Sequence, residues 1–153
     1  MTRSKKPAEL KPLWQCPKCG KMFVAKNMWH SCRLYDLEPL FAKCEPLVLQ
    51  LYRKFEAMVL ACGPVIIEPK RTSVAFMVRV RAIGCEPHKS YLRIAFAFAQ
   101  PHQHPRFIKT TSYTGRFHAH WIEVRQLSDL DEQVQAWVQE AYALSAQKYL
   151  RHD

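Results

Sequence analysis

The stretch Tyr91-Leu92-Arg93-Ile94-Ala95-Phe96-Ala97-Phe98-Ala99 alternates strictly, with Leu92, Ile94, Phe96 and Phe98 on one side and Tyr91, Arg93, Ala95 and Ala97 on the other. Successive side chains of a strand point to opposite faces, so this reads as a strand with one face on a core and the other open. Ser73–Arg81 repeats the pattern: Val74, Phe76, Val78 and Val80 oppose Ala75, Met77, Arg79 and Arg81. Further out, Val65-Ile66-Ile67 reads as a strand ending near Pro69, Gly84–Lys89 as a turn, and Pro101–Pro105 as a loop rich in His and Pro. Phe107–Tyr113 fits a strand or a short helix, and Arg116–Val124 a further strand.

Two helical stretches bracket these strands. Pro46 suits a first helical position, Leu47, Leu51, Phe55, Met58, Val59 and Cys62 recur at helical spacing, and Gly63-Pro64 ends the run. Ser128 is the expected cap of the last helix, with Asp131 three residues on. Leu130, Val134, Trp137, Val138, Ala141 and Leu144 then turn inward, up to about Leu150. Short loops between sequential strands favour antiparallel pairing. The expected fold class is α+β: an antiparallel sheet of four to five strands, with the 46–62 and 129–150 helices packed on one face and Phe55, Phe76, Phe96 and Trp137 buried.

Upstream lies Cys16-Pro17-Lys18-Cys19-Gly20, followed by His30-Ser31-Cys32. Two Cys separated by two residues can place both thiolates on one cation, and Gly20 can take the left-handed conformation such a turn favours. His30 and Cys32 complete the four soft or borderline ligands of a closed tetrahedral zinc site. Only one residue separates His30 from Cys32, so the two cannot share a helix face. A knuckle at Cys16–Gly20, a short helix or turn over Lys26–Trp29, and a fold-back at His30 and Cys32 are expected, with Cys44 the first substitute ligand. Cys62 and Cys85 read as core thiols. The rival readings are a disulfide, inert thiols or a redox pair. Disulfides are rare in a reducing cytosol, and a redox C-x-x-C would follow a strand and open a helix. The opening Met1–Pro7 is polar and basic rather than an apolar signal peptide, and no stretch approaches the ~20 apolar residues of a membrane span. A cytoplasmic protein with no membrane partner is expected. The chain divides into a flexible basic tail (1–13), a zinc-finger-like module (14–34), a connector (35–43) with Asp36 as its helix cap, and the α+β domain (44–153).

Of the net charge of +10, residues 1–33 supply +7, from eight Lys and Arg against Glu9 alone. A basic zinc module suggests a surface for phosphates, and Lys18, Lys21, Lys26 and Arg33, set around the metal, are its candidate contacts. On the open sheet face, Arg79, Arg81 and Arg93, joined by His118 and His120 from the last strand, form a candidate face for an anion or stacked bases. Enzyme signatures are absent: there is no P-loop, G-x-G-x-x-G, G-x-S-x-G or H-E-x-x-H. Glu68-Pro69-Lys70 has the E-x-K form of metal-dependent nucleases but lacks an acidic partner just upstream, so both charges read as strand-end residues, and no catalytic residue is assigned.

Trp14 to Cys32 reads W-x-C-P-x-C-G-x-x-F-x-x-x-N-x-x-H-S-C, and Ala61–Val65 reads A-C-G-P-V. With His104–Tyr113, the H-A-H-W of His118–Trp121, Leu127–Val134 and Ala141-Tyr142, these motifs resemble bacterial proteins of the domain of unknown function 5655 family, over about residues 14–150. The resemblance implies no established activity and no catalytic residues. Some relatives are labelled transport proteins. In others the domain is fused to nuclease-like domains, which implies an accessory or nucleic-acid-linked role. The expected function is a small zinc-binding protein, its zinc structural, that contacts nucleic acid or an acidic protein through its basic finger. The rivals are a small-molecule or anion-binding α+β domain (an enzyme among its forms) using the Arg/His face, and a protein-interaction adaptor. A pocket at the arginine face would favour the anion-binding domain, and a flat basic surface continuous with the finger the nucleic-acid reading.

Overall fold

The computed structural model describes residues 10–150; Arg3, Lys5 and Lys6 of the expected basic tail lie outside them. Its centre is a six-stranded, wholly antiparallel sheet in the order β3-β4-β5-β6-β8-β7. The strands are β3 (Ile66–Pro69), β4 (Val74–Met77), β5 (Arg81–Pro87), β6 (Leu92–Phe98), β7 (Lys109–Thr114) and β8 (Phe117–Val124). A separate ribbon, β1 (Trp14–Gln15) with β2 (Met22–Phe23), belongs to the finger. Helices α1 (Pro46–Leu60) and α2 (Glu132–Ser145) pack on one sheet face.

The class is as expected, but the sheet has six strands rather than four to five, and the reason is local. Ser73–Arg81 is not one strand. The ladder slips between Phe76 and Met77. Beyond it, the amides of Arg79 and Val80 donate to the carbonyl of Ser145, at 3.0 Å each, instead of to a neighbouring strand. The Ser145 hydroxyl accepts from the Val78 amide (2.8 Å) and donates to the Val80 carbonyl. The end of α2 thus takes over the bonds that would have continued β4, and Arg81 opens β5. Gly84, expected in a turn, sits inside β5, where an added Cβ would lie 3.3 Å from the Val74 carbonyl oxygen; the position needs glycine for close backbone approach. The turn falls instead at His88–Ser90, closed by the His88 amide on the Tyr91 carbonyl (2.9 Å). Phe107–Tyr113 resolves as strand β7.

The core lies between sheet and helices. Phe55, Phe76, Phe96 and Trp137 are all buried, as expected. Phe55 meets Phe76 edge-on at 5.6 Å, and Phe96 lies 6.0 Å from Trp137. On α1 the buried stripe is Val48, Leu51, Tyr52, Phe55 and Val59, while Leu47, Met58 and Cys62 only flank it. Asp131, not Ser128, caps α2, accepting from the Val134 amide at 3.1 Å. Residues 127–129 are instead a 3-10 turn boxed by Gln126 and Asp129, and α2 ends at Ser145 because Gln147 turns left-handed (φ 56°). Asp36 caps nothing: the 3-10 turn Glu38–Phe41 starts from Leu37 without a side-chain cap.

Candidate metal centre

The finger is built on two tight reversals. The Cys16 amide bonds the Lys21 carbonyl and the Gly20 amide the Cys16 carbonyl, each at 2.9 Å, and Gly20 adopts φ +80° as expected. Asn27 is also left-handed (φ 59°), in a turn with no helix, so the chain doubles back and returns His30 and Cys32. Phe23 packs beneath, 4.4 Å from the His30 ring, with the Arg81 guanidinium 4.7 Å from the Phe23 ring centroid. That contact, and the bond from Arg79 to the Lys11 carbonyl (2.6 Å), seat the finger against the start of β5.

The ligand atoms of Cys16, Cys19, His30 and Cys32 all lie within 4.8 Å of one another, and they form the one such His/Cys/acid group among the described residues. Typical zinc–ligand lengths place the ligands of a tetrahedron about 3.8 Å apart for S to S and about 3.6 Å for S to N. The observed separations are 3.8 Å for Cys16–Cys32, 3.3 Å for Cys19–His30 and 3.5 Å for Cys32–His30. His30 Nδ1 donates to the Met28 carbonyl at 2.7 Å, which fixes the tautomer and leaves Nε2 toward the thiols. The Cys16 thiol is held down to about 6, chiefly by the Cys19 backbone N–H, which favours the thiolate a metal needs. Cys44 is elsewhere, its thiol on the Leu40 carbonyl at 3.6 Å. Cys85 is fully buried and its thiol pushed far up by that burial; Cys62 lies at the core's edge.

The basic candidates separate into two groups. Lys18, Lys26 and Arg33 are exposed. Lys21 is not free: its ammonium bonds the carbonyls of Ser31 (2.8 Å) and Arg33 (3.0 Å), clamping the two ends of the finger. Arg79 is likewise spent, on Gln147 (2.7 Å) and Lys11. Arg81 pairs with Glu68 at 2.6 Å. Arg93 meets Glu123 at 3.4 Å, while Glu123 also holds Arg125 at 3.0 Å.

The expected Arg/His face does not form. The register pairs Arg93 with Glu123 and Ala95 with Trp121, so Phe117, Ala119 and Trp121 share the open face with Arg93, and His118 and His120 point to the helix side. His118 bonds Ser112 at 2.7 Å. His120 is completely buried, 4.8 Å from the rings of both Phe98 and Phe107, and its Nε2 accepts the His102 amide at 2.8 Å. Burial holds His120 below its ordinary value. The unfolded chain therefore takes up this proton more readily. The contribution to stability is full above about pH 6.5, the unfolded value, and is lost as pH falls below it. The wild type is expected to lose melting temperature between pH 7.5 and 5, and His120→Gln, which keeps an acceptor for the His102 amide, to flatten that fall. Parallel falls in both would show that His120 does not titrate in this range.

What sequence reasoning missed on the open face is a hollow of about 380 Å³, floored by Ala75, Gly84, Ala95, Ala97 and Ala119. The alternation of β6 put Ala95 and Ala97 on this face, but the pairing that sets Ala75, Gly84 and Ala119 beside them came from the register. No helix of the described residues is long and apolar enough to cross a membrane. Neither the curated proteins nor the solved structures offer a match. A family model matches residues 38–145, beginning beyond the finger rather than at Trp14. On that match, which spans both helices and the whole six-stranded sheet, the chain belongs to the family described as Domain of unknown function (DUF5655).

Proposed function

We propose that the chain is a zinc-stapled accessory module that binds nucleic acid through its finger. The four-residue cluster holds one structural zinc. With four protein ligands it leaves no position for a reacting water, so the metal shapes the surface rather than performing chemistry. The observation that carries this reading is Trp29, 92% exposed on a module that also presents Lys18, Lys26 and Arg33 to solvent. A folded protein gains nothing in stability from an indole held in water. As a platform it stacks on any base, a contact worth about 1–3 kcal/mol, while the cations suit the phosphates.

The test is fluorescence anisotropy of a single-stranded oligonucleotide with the zinc-loaded protein across a salt series. If Lys11, Lys18, Lys26 and Arg33 each meet a phosphate, the log–log slope is about −3. Replacing Lys18, Lys26 and Arg33 together flattens it by about 2. Lys21 is left intact because it holds the finger closed. Trp29→Ala weakens binding by roughly 5–150-fold at all salts. No binding at low salt sinks the proposal. Equal binding of polyglutamate, unaffected by Trp29→Ala, would replace nucleic acid by an acidic protein.

A further inference from the structure

The hollow on the open sheet face is independent of the finger's reading, and it is a built cavity rather than a gap in packing. Its floor is one patch of small residues drawn from four adjacent strands: Ala75 on β4, Gly84 on β5, Ala95 and Ala97 on β6, and Ala119 on β8. The register lines up Ala75, Gly84, Ala95 and Trp121 across the sheet in one row, so the floor ends against the Trp121 indole. Phe117 and Tyr113 continue that aromatic wall, and Arg81, Arg93 and Lys70 line other parts of the rim. Four strands at about 4.8 Å spacing give a floor roughly 14 Å across, and about 380 Å³ is within the ordinary range of small-ligand sites.

The charge at the rim is in surplus. Glu86 is the one carboxylate lining the hollow, against Lys70, Arg81 and Arg93, and the His88 ring nitrogen lies 2.8 Å from it. Lys70 has no ion-pair partner among the described residues. Arg93 uses one of its five N–H donors, at 3.4 Å, on a carboxylate that Arg125 holds more closely. Arg93 and Trp121 are diagonal neighbours on β6 and β8, with Cβ atoms about 7 Å apart. Lys109, 5.0 Å from the Trp121 ring centroid, adds further positive charge beside that wall.

We propose that the hollow is a binding site for a planar aromatic carboxylate, whose ring lies on the alanine–glycine floor against Trp121 and whose carboxylate takes the unused fork of Arg93. A flat floor of Cβ atoms admits a ring and excludes a branched ligand. The Arg93 fork matches a carboxylate bidentately, which an ammonium would not do.

Anthranilate and its uncharged amide, anthranilamide, separate the two parts of the site. Both are titrated into the 15N-labelled chain and followed by amide chemical shifts. Anthranilate is expected to shift Gly84, Ala95, Ala119 and the Trp121 indole N–H saturably, and anthranilamide to bind at least about tenfold more weakly. Arg93→Gln should bring the two affinities together. Ala95→Phe, which fills the floor from a position already facing the hollow, should abolish both while the remaining spectrum stays dispersed. Ala119→Leu serves the same end if Ala95→Phe does not fold. Shifts confined to the finger, equal affinity for acid and amide in the wild type, or no saturable change up to about 10 mM would each overturn the proposal.

Discussion

Cys16→Ser is expected to take the zinc content from one ion per chain to none and to unfold the finger while the sheet domain stays folded. The finger has little core of its own: the rings of Trp14, Phe23 and His30 meet at tilted and edge-on angles, and Cys16 and Phe23 are its buried residues among those described. Structural zinc contributes about 10–16 kcal/mol in finger peptides, far more than three aromatic contacts supply. Serine is a poor ligand for zinc, and the lost thiol is one that the Cys19 backbone N–H holds well below the usual thiol range. The sheet domain has a separate apolar cluster, and it touches the finger chiefly through Arg81 on Phe23 and Arg79 on Lys11. Its melting transition should therefore move little. Elemental analysis gives the metal count, and loss of dispersion in the finger amides reports the unfolding. A variant that keeps full zinc would remove Cys16 from the site. A variant that loses the sheet transition too would show that the two parts fold as one unit.

Phe96→Ala should be the most damaging core substitution. Phe96 is wholly buried at the centre of the sheet, between Phe55 on α1, 6.4 Å away, and Trp137 on α2, and it stacks on Phe98 at 6.0 Å. Removing the ring leaves a cavity touched by both helices, at a cost of roughly 3–5 kcal/mol. That is a large share of a typical stability of about 5–15 kcal/mol, and for a chain of this length it lowers the melting temperature by roughly 6–20 °C. Tyr113→Ala, on an exposed side chain of β7, is the control and should change stability by about 0.5 kcal/mol or less. Equal melting of the two variants would mean that the sheet–helix interface is not the source of stability.

The elements themselves were legible because each is set by local rules. The period of two in Tyr91–Ala99, the helical stripe of Leu130–Leu144 and the ligand spacing of Cys16, Cys19, His30 and Cys32 need no knowledge of distant neighbours. From them came the class, the two helices, the buried aromatics and the Cys/His cluster that could hold a metal. Where the reading failed, a distant partner had intervened. Ser145 ended β4 from the far end of the chain, the Val74 carbonyl explains a glycine within β5, and Lys21 was drawn inward by the Ser31 and Arg33 carbonyls.

The open face shows the same division. By itself the sequence determined which residues of β6 and β8 alternate, and so that Arg93 opposes Phe96 and that His118 sides with His120. Which of those sets lie together depended on register, since sliding one strand by a single residue exchanges its two faces. The tertiary pairing of Ala95 with Trp121 turned both histidines to the other face, buried His120, and brought five small residues from four strands into one hollow. Periodicity is a property of one strand, whereas a site is a property of how several strands are laid side by side, and only packing against the helices selects that arrangement.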